Sequence, residues 1–242
     1  MNGTFKNMNN YINIDHFETT RKIYRIIAID RLIGMLESKS NFLANPKYWK
    51  DSFENFIFNT EIDVKNKKKY TSVLRNRGYG QSWTLHDESE DMWKTYSPEI
   101  RGVKIQSNIR KLLKSLQASQ KFYKTTTCFI GKVIYCNNEK IQKLKQHRKT
   151  TKNSFGGNFG QAKSLLFKRN SFIYENEIRL IFLDPNNRPH TKLYEYKCDV
   201  FSLIDSITFD PRIDHEEFII YNAKLRSIGF KGKISVSKNK FK

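Results

Sequence analysis

Glu175, Glu177 and Arg179 stand two residues apart in the stretch Phe172 to Phe182, FIYENEIRLIF. The period of two of a β-strand puts all three on one face, while Tyr174, Asn176, Ile178 and Leu180 point the other way. Like charges at i and i+2 repel, so the pair calls for open water, for Arg179 as counter-ion, or for a chemical task. Paired carboxylates can bind a hard cation, stabilise a cationic transition state or accept a proton from an attacking group. The plain alternative is a solvated strand face with an internal ion pair.

Composition sets the surroundings of that triplet. In 242 residues, 44 Lys and Arg against 24 Asp and Glu leave a formal charge of +20, an excess that attracts polyanions, chiefly RNA or DNA. The competing explanation is a soluble chain with a general bias toward Lys and Asn. A hydrophobic content of 38% with 14% aromatics suffices for one sizeable core, so a single domain over 21–242 is expected, preceded by a flexible polar arm over 1–20. No run of eighteen apolar residues exists and MNGTFKNMNN carries no signal-peptide core, which predicts a soluble, cytoplasmic protein with no membrane partner. Cys128, Cys136 and Cys198 show no C-x-x-C spacing and no neighbouring His. Neither a disulfide framework nor a metal is expected, and Cys128 and Cys136 read as small buried hydrophobes.

The elements that must position the triplet follow from periodicity. Lys22–Ile27, KIYRII, alternates as a strand that carries Tyr24 and Arg25, and an arginine among apolar strand residues is unusual. A short amphipathic helix over Arg31–Ser38 follows. Gly78–Leu85, GYGQSWTL, predicts a buried strand with Gln81, Trp83 and Leu85 on one face and Ser82 and Thr84 on the other. HDESEDMWKTY opens with acidic residues suited to a helix N-terminus and offers Met92, Trp93 and Tyr96 as its apolar side. Arg101–Gln106 reads as a strand, Asn108–Gln120 as a basic amphipathic helix, and Thr125–Tyr135 as a central strand. Late strands over Lys192–Lys197, Leu203–Phe209 and Lys231–Ser237 flank a helix over His215–Ser227. Strands and short helices without βαβ regularity predict α+β with a mixed or antiparallel sheet and short flanking helices.

Between these elements, Lys140–Arg169 forms a basic insertion with nine Lys or Arg, the glycine-rich SFGGNFGQ and three phenylalanines. Cations for phosphates with aromatics for base stacking suit single-stranded nucleic acid, and Lys143, Lys145, Arg148, Lys149, Lys163, Lys168 and Arg169 are the candidate contacts. The glycines match neither G-x-G-x-x-G nor a P-loop. A surface loop ahead of the next core element is the alternative.

Taken in order, the Tyr-Arg strand and helix YRIIAIDRLIGMLESKSNFLANPKYWKDSFE, then HDESEDMWKTYSPEIRGVKI, KRNSFIYENEIRLIF and SLIDSITFDPRI resemble the bacterial family called domain of unknown function 2971. The resemblance runs from Tyr24 to about Ser237 and departs from the family pattern at WKDSFE, residues 49–54. More remotely, an arginine on a first strand, a Ser-x-Thr strand and a late E-x-E strand are similar to ADP-ribosyltransferases. That similarity implies NAD as substrate, with Arg25 on its phosphates, Ser82 and Thr84 supporting the site, Glu177 at the nicotinamide ribose and Glu175 orienting or deprotonating the acceptor. Tyr24, Trp83, Trp93 and Tyr96 would line the cofactor site, with Trp83, Trp93 or Tyr96 stacking on nicotinamide.

The expected function is an NAD-dependent ADP-ribosyltransferase, a toxin-like or antiviral defence effector that modifies nucleic acid or a nucleic-acid-associated target and is held in check by a neutralising, antitoxin-type protein. A second expectation is a non-catalytic nucleic-acid-binding module in which E-x-E-x-R is scaffold. A third is a nuclease with Mg²⁺ on Glu175, Glu177 and Asp51 or Asp87, although the D-x-n-E-x-K pattern fails because residue 179 is arginine.

Overall fold

The computed structural model describes residues 10–49, 62–64, 68–70, 77–120, 122, 124–143, 157–186 and 191–239. In chain order the strands are β1 Tyr11–Ile12, β2 Lys22–Ala28, β3 Ser40–Ala44, β4 Ile62–Val64, β5 Lys68–Tyr70, β6 Gly78–Thr84, β7 Gly102–Asn108, β8 Cys128–Lys132, β9 Ile134–Cys136, β10 Phe167–Arg169, β11 Glu177–Leu183, β12 Leu193–Lys197, β13 Ser206–Phe209 and β14 Lys233–Val236. The α-helices are α1 Ile29–Ser38, α2 Glu90–Tyr96, α3 Ile109–Ala118, α4 Lys124–Thr127, α5 Gly157–Ser164, α6 Val200–Leu203 and α7 His215–Ser227.

The main sheet runs β1-β8-β11-β6-β2-β7-β13-β14, with β3 and β12 attached beside β6. Its inner pairings are antiparallel, and parallel pairs at both ends, β1 with β8 and β13 with β14, make it mixed. The fold is therefore α+β, as periodicity predicts.

Helices cover the sheet because their apolar residues recur at helical spacing. In α3, Ile109, Leu112, Leu113 and Leu116 are all buried, and the Asn108 side chain caps the helix by accepting from the Lys111 N–H. These residues join Leu32, Ile33, Met35 and Leu36 of α1 in the main core, together with Ile23 and Ile27 of β2 and Ile178, Leu180 and Phe182 of β11. On the opposite face, Ile181 and Leu183 of β11 pack with Leu165, Leu166 and Phe167, and Ile26 packs with Met92 and Trp93 of α2. Strand β11 thus has both faces covered, and all seven of its residues are buried.

Two expectations are corrected here. The stretch from Phe172 is not one strand: Asn170–Glu175 is a 3-10 turn, Asn176 adopts a left-handed conformation at φ 41°, and β11 begins only at Glu177. Asparagine is among the few residues that tolerate that conformation. Thr125–Tyr135 is divided into a helical turn and the separate strands β8 and β9. Within the arm expected over 1–20, β1 pairs with β8, Ile12 and Ile14 are buried, and His16–Thr20 forms a 3-10 helix with Phe17 exposed; residues 1–9 lie outside the described residues.

Candidate active site

Sheet register decides which side chains can meet. Tyr24 pairs with Thr84, and Thr84 pairs with Glu177, while Ser82 pairs with Arg179. Paired residues project to the same side, so Tyr24, Ser82, Thr84, Glu177 and Arg179 share one face. Arg25, the next residue along β2, projects to the other face with Ile23 and Ile27 of the main core. It carries no hydrogen bond or ion pair among the described residues, and burial together with the nearby Arg31 charge lowers its pKa to about 9. Arg25 and Glu177, which the resemblance assigns to one NAD site, therefore lie on opposite faces of the sheet, and the cause is the parity of a single strand position.

Glu177 is the centre of the arrangement that does form. Only 2% of it is exposed. Arg179 grips it with two charge-assisted bonds, Nε to Oε1 at 2.6 Å and Nη2 to Oε2 at 3.0 Å. Lys168 Nζ donates to Oε2 at 3.0 Å, and the nearby Ser82 hydroxyl also favours the ionised form. Burial alone would raise the carboxyl pKa, but Arg179, Lys168 and Ser82 outweigh it and hold it at about 2. These three charge-assisted bonds put two donors on Oε2 and one on Oε1. Ser82, paired with Arg179 on β6 and exposed, is the solvent-facing neighbour of this cluster.

The supports of this centre come from distant segments. Arg179 Nη1 donates to the Leu165 carbonyl at 2.6 Å, and its guanidinium lies 4.3 Å from the centre of the Trp49 ring. Trp49 can lie there because residue 80 is glycine: a Cβ would stand 2.6 Å from its Cζ2. Lys168 arrives on β10, which pairs in parallel with β9 and sets Lys168 opposite Tyr135. The Tyr135 hydroxyl accepts the Glu177 N–H at 2.9 Å, and burial raises its pKa to about 12.

Glu175 reaches the same place without being on the strand. Its carboxylate accepts from Lys168 Nζ at 2.6 Å, and the Thr84 hydroxyl donates to its carbonyl at 2.6 Å. The left-handed Asn176 turns the chain so that one ammonium bridges both glutamates. Tyr96, 45% exposed at the end of α2, borders the pair, and its pKa is raised by burial and by the charge of Glu175. Tyr24 is buried in the same wall beneath Lys104, whose Nζ lies 5.3 Å from the ring centre and is bound to Asp87.

Trp83 and Trp93 do not line the site. Trp83 is buried in the main core with its indole N–H on Gln81, and Trp93 is wholly buried with its N–H on Glu88. Lys168, expected on nucleic acid, is buried in the carboxylate network. Lys143 forms an exposed pair with Glu139 at 2.6 Å, Lys163 lies on α5, and Arg169 is exposed beside the Phe172 ring. Lys145, Arg148 and Lys149 lie outside the described residues, as does Asp51. No group of three or more His, Cys, Asp or Glu side chains among the described residues is placed to hold a metal ion. No described helix is long and apolar enough to cross a membrane. Sequence reasoning missed Tyr135, Trp49 and Leu165, and no spacing in the chain signals them, since each is brought in by tertiary packing.

The model of a family described as "Protein of unknown function (DUF2971)" matches residues 92–180, which include Met92, Trp93, Tyr96, β7, Glu175, Glu177 and Arg179. No curated protein matches the chain. Among solved structures, Thermus sp. 2.9 DarT in complex with NAD+ is similar with a TM-score of 0.42 at 11% identity, over 90% of this chain and 96% of that one. Thermus sp. 2.9 DarT in complex with ADP-ribosylated ssDNA gives a TM-score of 0.43 at 10% identity, over 90% and 95%.

Proposed function

We propose that the chain is an NAD-dependent ADP-ribosyltransferase whose substrate groove lies on the Glu177 face of the sheet. The observation that carries this is one ionised, desolvated carboxylate, Glu177, held beside a second one, Glu175, with the exposed Ser82 and Tyr96 at their border. Breaking the bond between nicotinamide and ribose develops positive charge on the ribose, and a carboxylate fixed in a dry wall stabilises that charge without reorganising. In this reading a ribose hydroxyl reaches Glu177 from beside the exposed Ser82, Tyr96 offers its ring to nicotinamide, and Glu175 accepts the proton of the acceptor nucleophile. Arg25 takes no part, because it faces the other side.

The acceptor in this reading is nucleic acid or a molecule bound to it, drawn by the basic charge, and the biological role is that of a toxin-like or antiviral effector restrained by a neutralising protein. The test is incubation of the purified chain with labelled NAD and, separately, RNA, single-stranded DNA and protein. Label should transfer to one of these with the wild type and not with Glu177→Gln. The wild type should also be hard to express while Glu177→Gln expresses readily. Absence of NAD turnover in every mixture overturns the reading.

One observation favours the non-catalytic alternative: Glu177 is held by three charge-assisted bonds and nearly inaccessible, as a purely structural buried ion pair would be. Under that reading Glu177→Gln leaves nucleic-acid binding intact, and neutralising the basic insertion removes it.

A further inference from the structure

We propose that Lys168 is a positioning residue for the carboxylate pair, the part that holds Glu175 and Glu177 together and ionised in the resting site; this rests on the reading of that site given above. Lys168 is 8% exposed, and its Nζ sits 2.6 Å from Glu175 Oε2 and 3.0 Å from Glu177 Oε2, with the Phe172 ring centre 4.9 Å away. Two carboxylates and an aromatic face make a cage for a cation, and the chain fills it with its own ammonium.

The two glutamates differ in what else holds them. Glu177 keeps the two Arg179 bonds if Lys168 is removed. Glu175 lies past the left-handed Asn176, off the strand and next to a permanent negative charge. Its charge is felt by Tyr96 of α2 and Tyr135 of β9. Lys168 of β10 touches both carboxylates and so ties Glu175 to Glu177. Deleting the ammonium leaves two carboxylates side by side, which favours protonation or withdrawal of Glu175.

The experiment compares wild type, Lys168→Met and Lys168→Arg in the full chain by NAD turnover against pH and by ¹³C NMR titration of the Glu175 carboxyl. Lys168→Met is expected to lower kcat about tenfold or more while KM stays within about threefold, the pattern of an interaction expressed in the transition state. The acid limb of its kcat profile and the Glu175 titration should both move to higher pH by about one unit. Lys168→Arg should recover most of the turnover and the wild-type acid limb. An unchanged kcat and acid limb in a folded Lys168→Met overturns the proposal. If the wild type turns over no NAD, the enzyme reading has failed by itself, and the NMR titration still decides on Lys168: identical titration in wild type and Lys168→Met overturns its role.

Discussion

A carboxylate held at about 2 against an ordinary 4.5 is a reservoir of pH-dependent stability. The sign follows from linkage: because the folded chain lowers the pKa, the contribution is complete above the unfolded value and disappears as pH falls from about 4.5 toward 2. A shift of that size corresponds to a contribution on the order of 3 kcal/mol. Urea unfolding of wild type and Glu177→Gln across that window checks it. The wild type should be the more stable at pH 7, since the variant leaves Arg179 buried with a neutral partner, and the difference should shrink as the solution is acidified. Parallel stability curves would show that Glu177 is not ionised in the folded chain. At this scale the sequence was legible where strand parity held from Glu177 onward, putting Glu177 and Arg179 on one face and Ser82 and Thr84 opposite them. It misled at Arg25, where resemblance suggested a role that parity forbids: Tyr24 is on the site's face, so its neighbour cannot be.

Elements bring together what spacing cannot. Segment Leu165–Arg169 supplies both the carbonyl that holds Arg179 and the lysine that bridges the glutamates, and it docks on β8 at Gly131. A Cβ at residue 131 would lie 2.3 Å from Leu166 Cδ1 and 3.1 Å from the Ile12 carbonyl, so the segment or β1 has to move. Gly131→Ala should therefore destabilise by about 1–3 kcal/mol through overpacking. It should also shift the Lys168 ammonium, cutting NAD turnover more than tenfold at a temperature where the variant is still folded. Thermal unfolding and turnover on one preparation test this; turnover equal to wild type would mean that the docking of Leu166 does not set the site. The helix α3 and most strands were readable, because their periodicities of 3.6 and 2 are local properties of the chain. The break at Asn176 and the split of residues 125–135 were not, because the strand-like alternation runs on through the first and the apolar run through the second, and only tertiary pairing interrupts them.

The whole molecule carries +20, and charge of that size acts at long range whatever the site does. Lys143 pairs with Glu139 in an exposed i, i+4 contact, which is worth little and is readily exchanged for a phosphate. Lys168 is basic in the sequence yet buried between two glutamates. Counting charges along 140–169 cannot separate these two; binding measured against salt can. For single strands each phosphate contact contributes about 0.7 to the slope of log K against log salt. Replacing Lys143, Lys145, Arg148 and Lys149 by Gln should weaken binding of a labelled single-stranded oligonucleotide and flatten that slope by about 3 if all four meet phosphates. Lys168→Met should leave the slope unchanged, because its ammonium is committed to Glu175 and Glu177. Anisotropy titrations at several salt concentrations read both: a fourfold variant that binds like the wild type would remove those four residues from any account of how this chain meets nucleic acid, and a flattened Lys168→Met slope would mean that its ammonium meets phosphate instead of the glutamates.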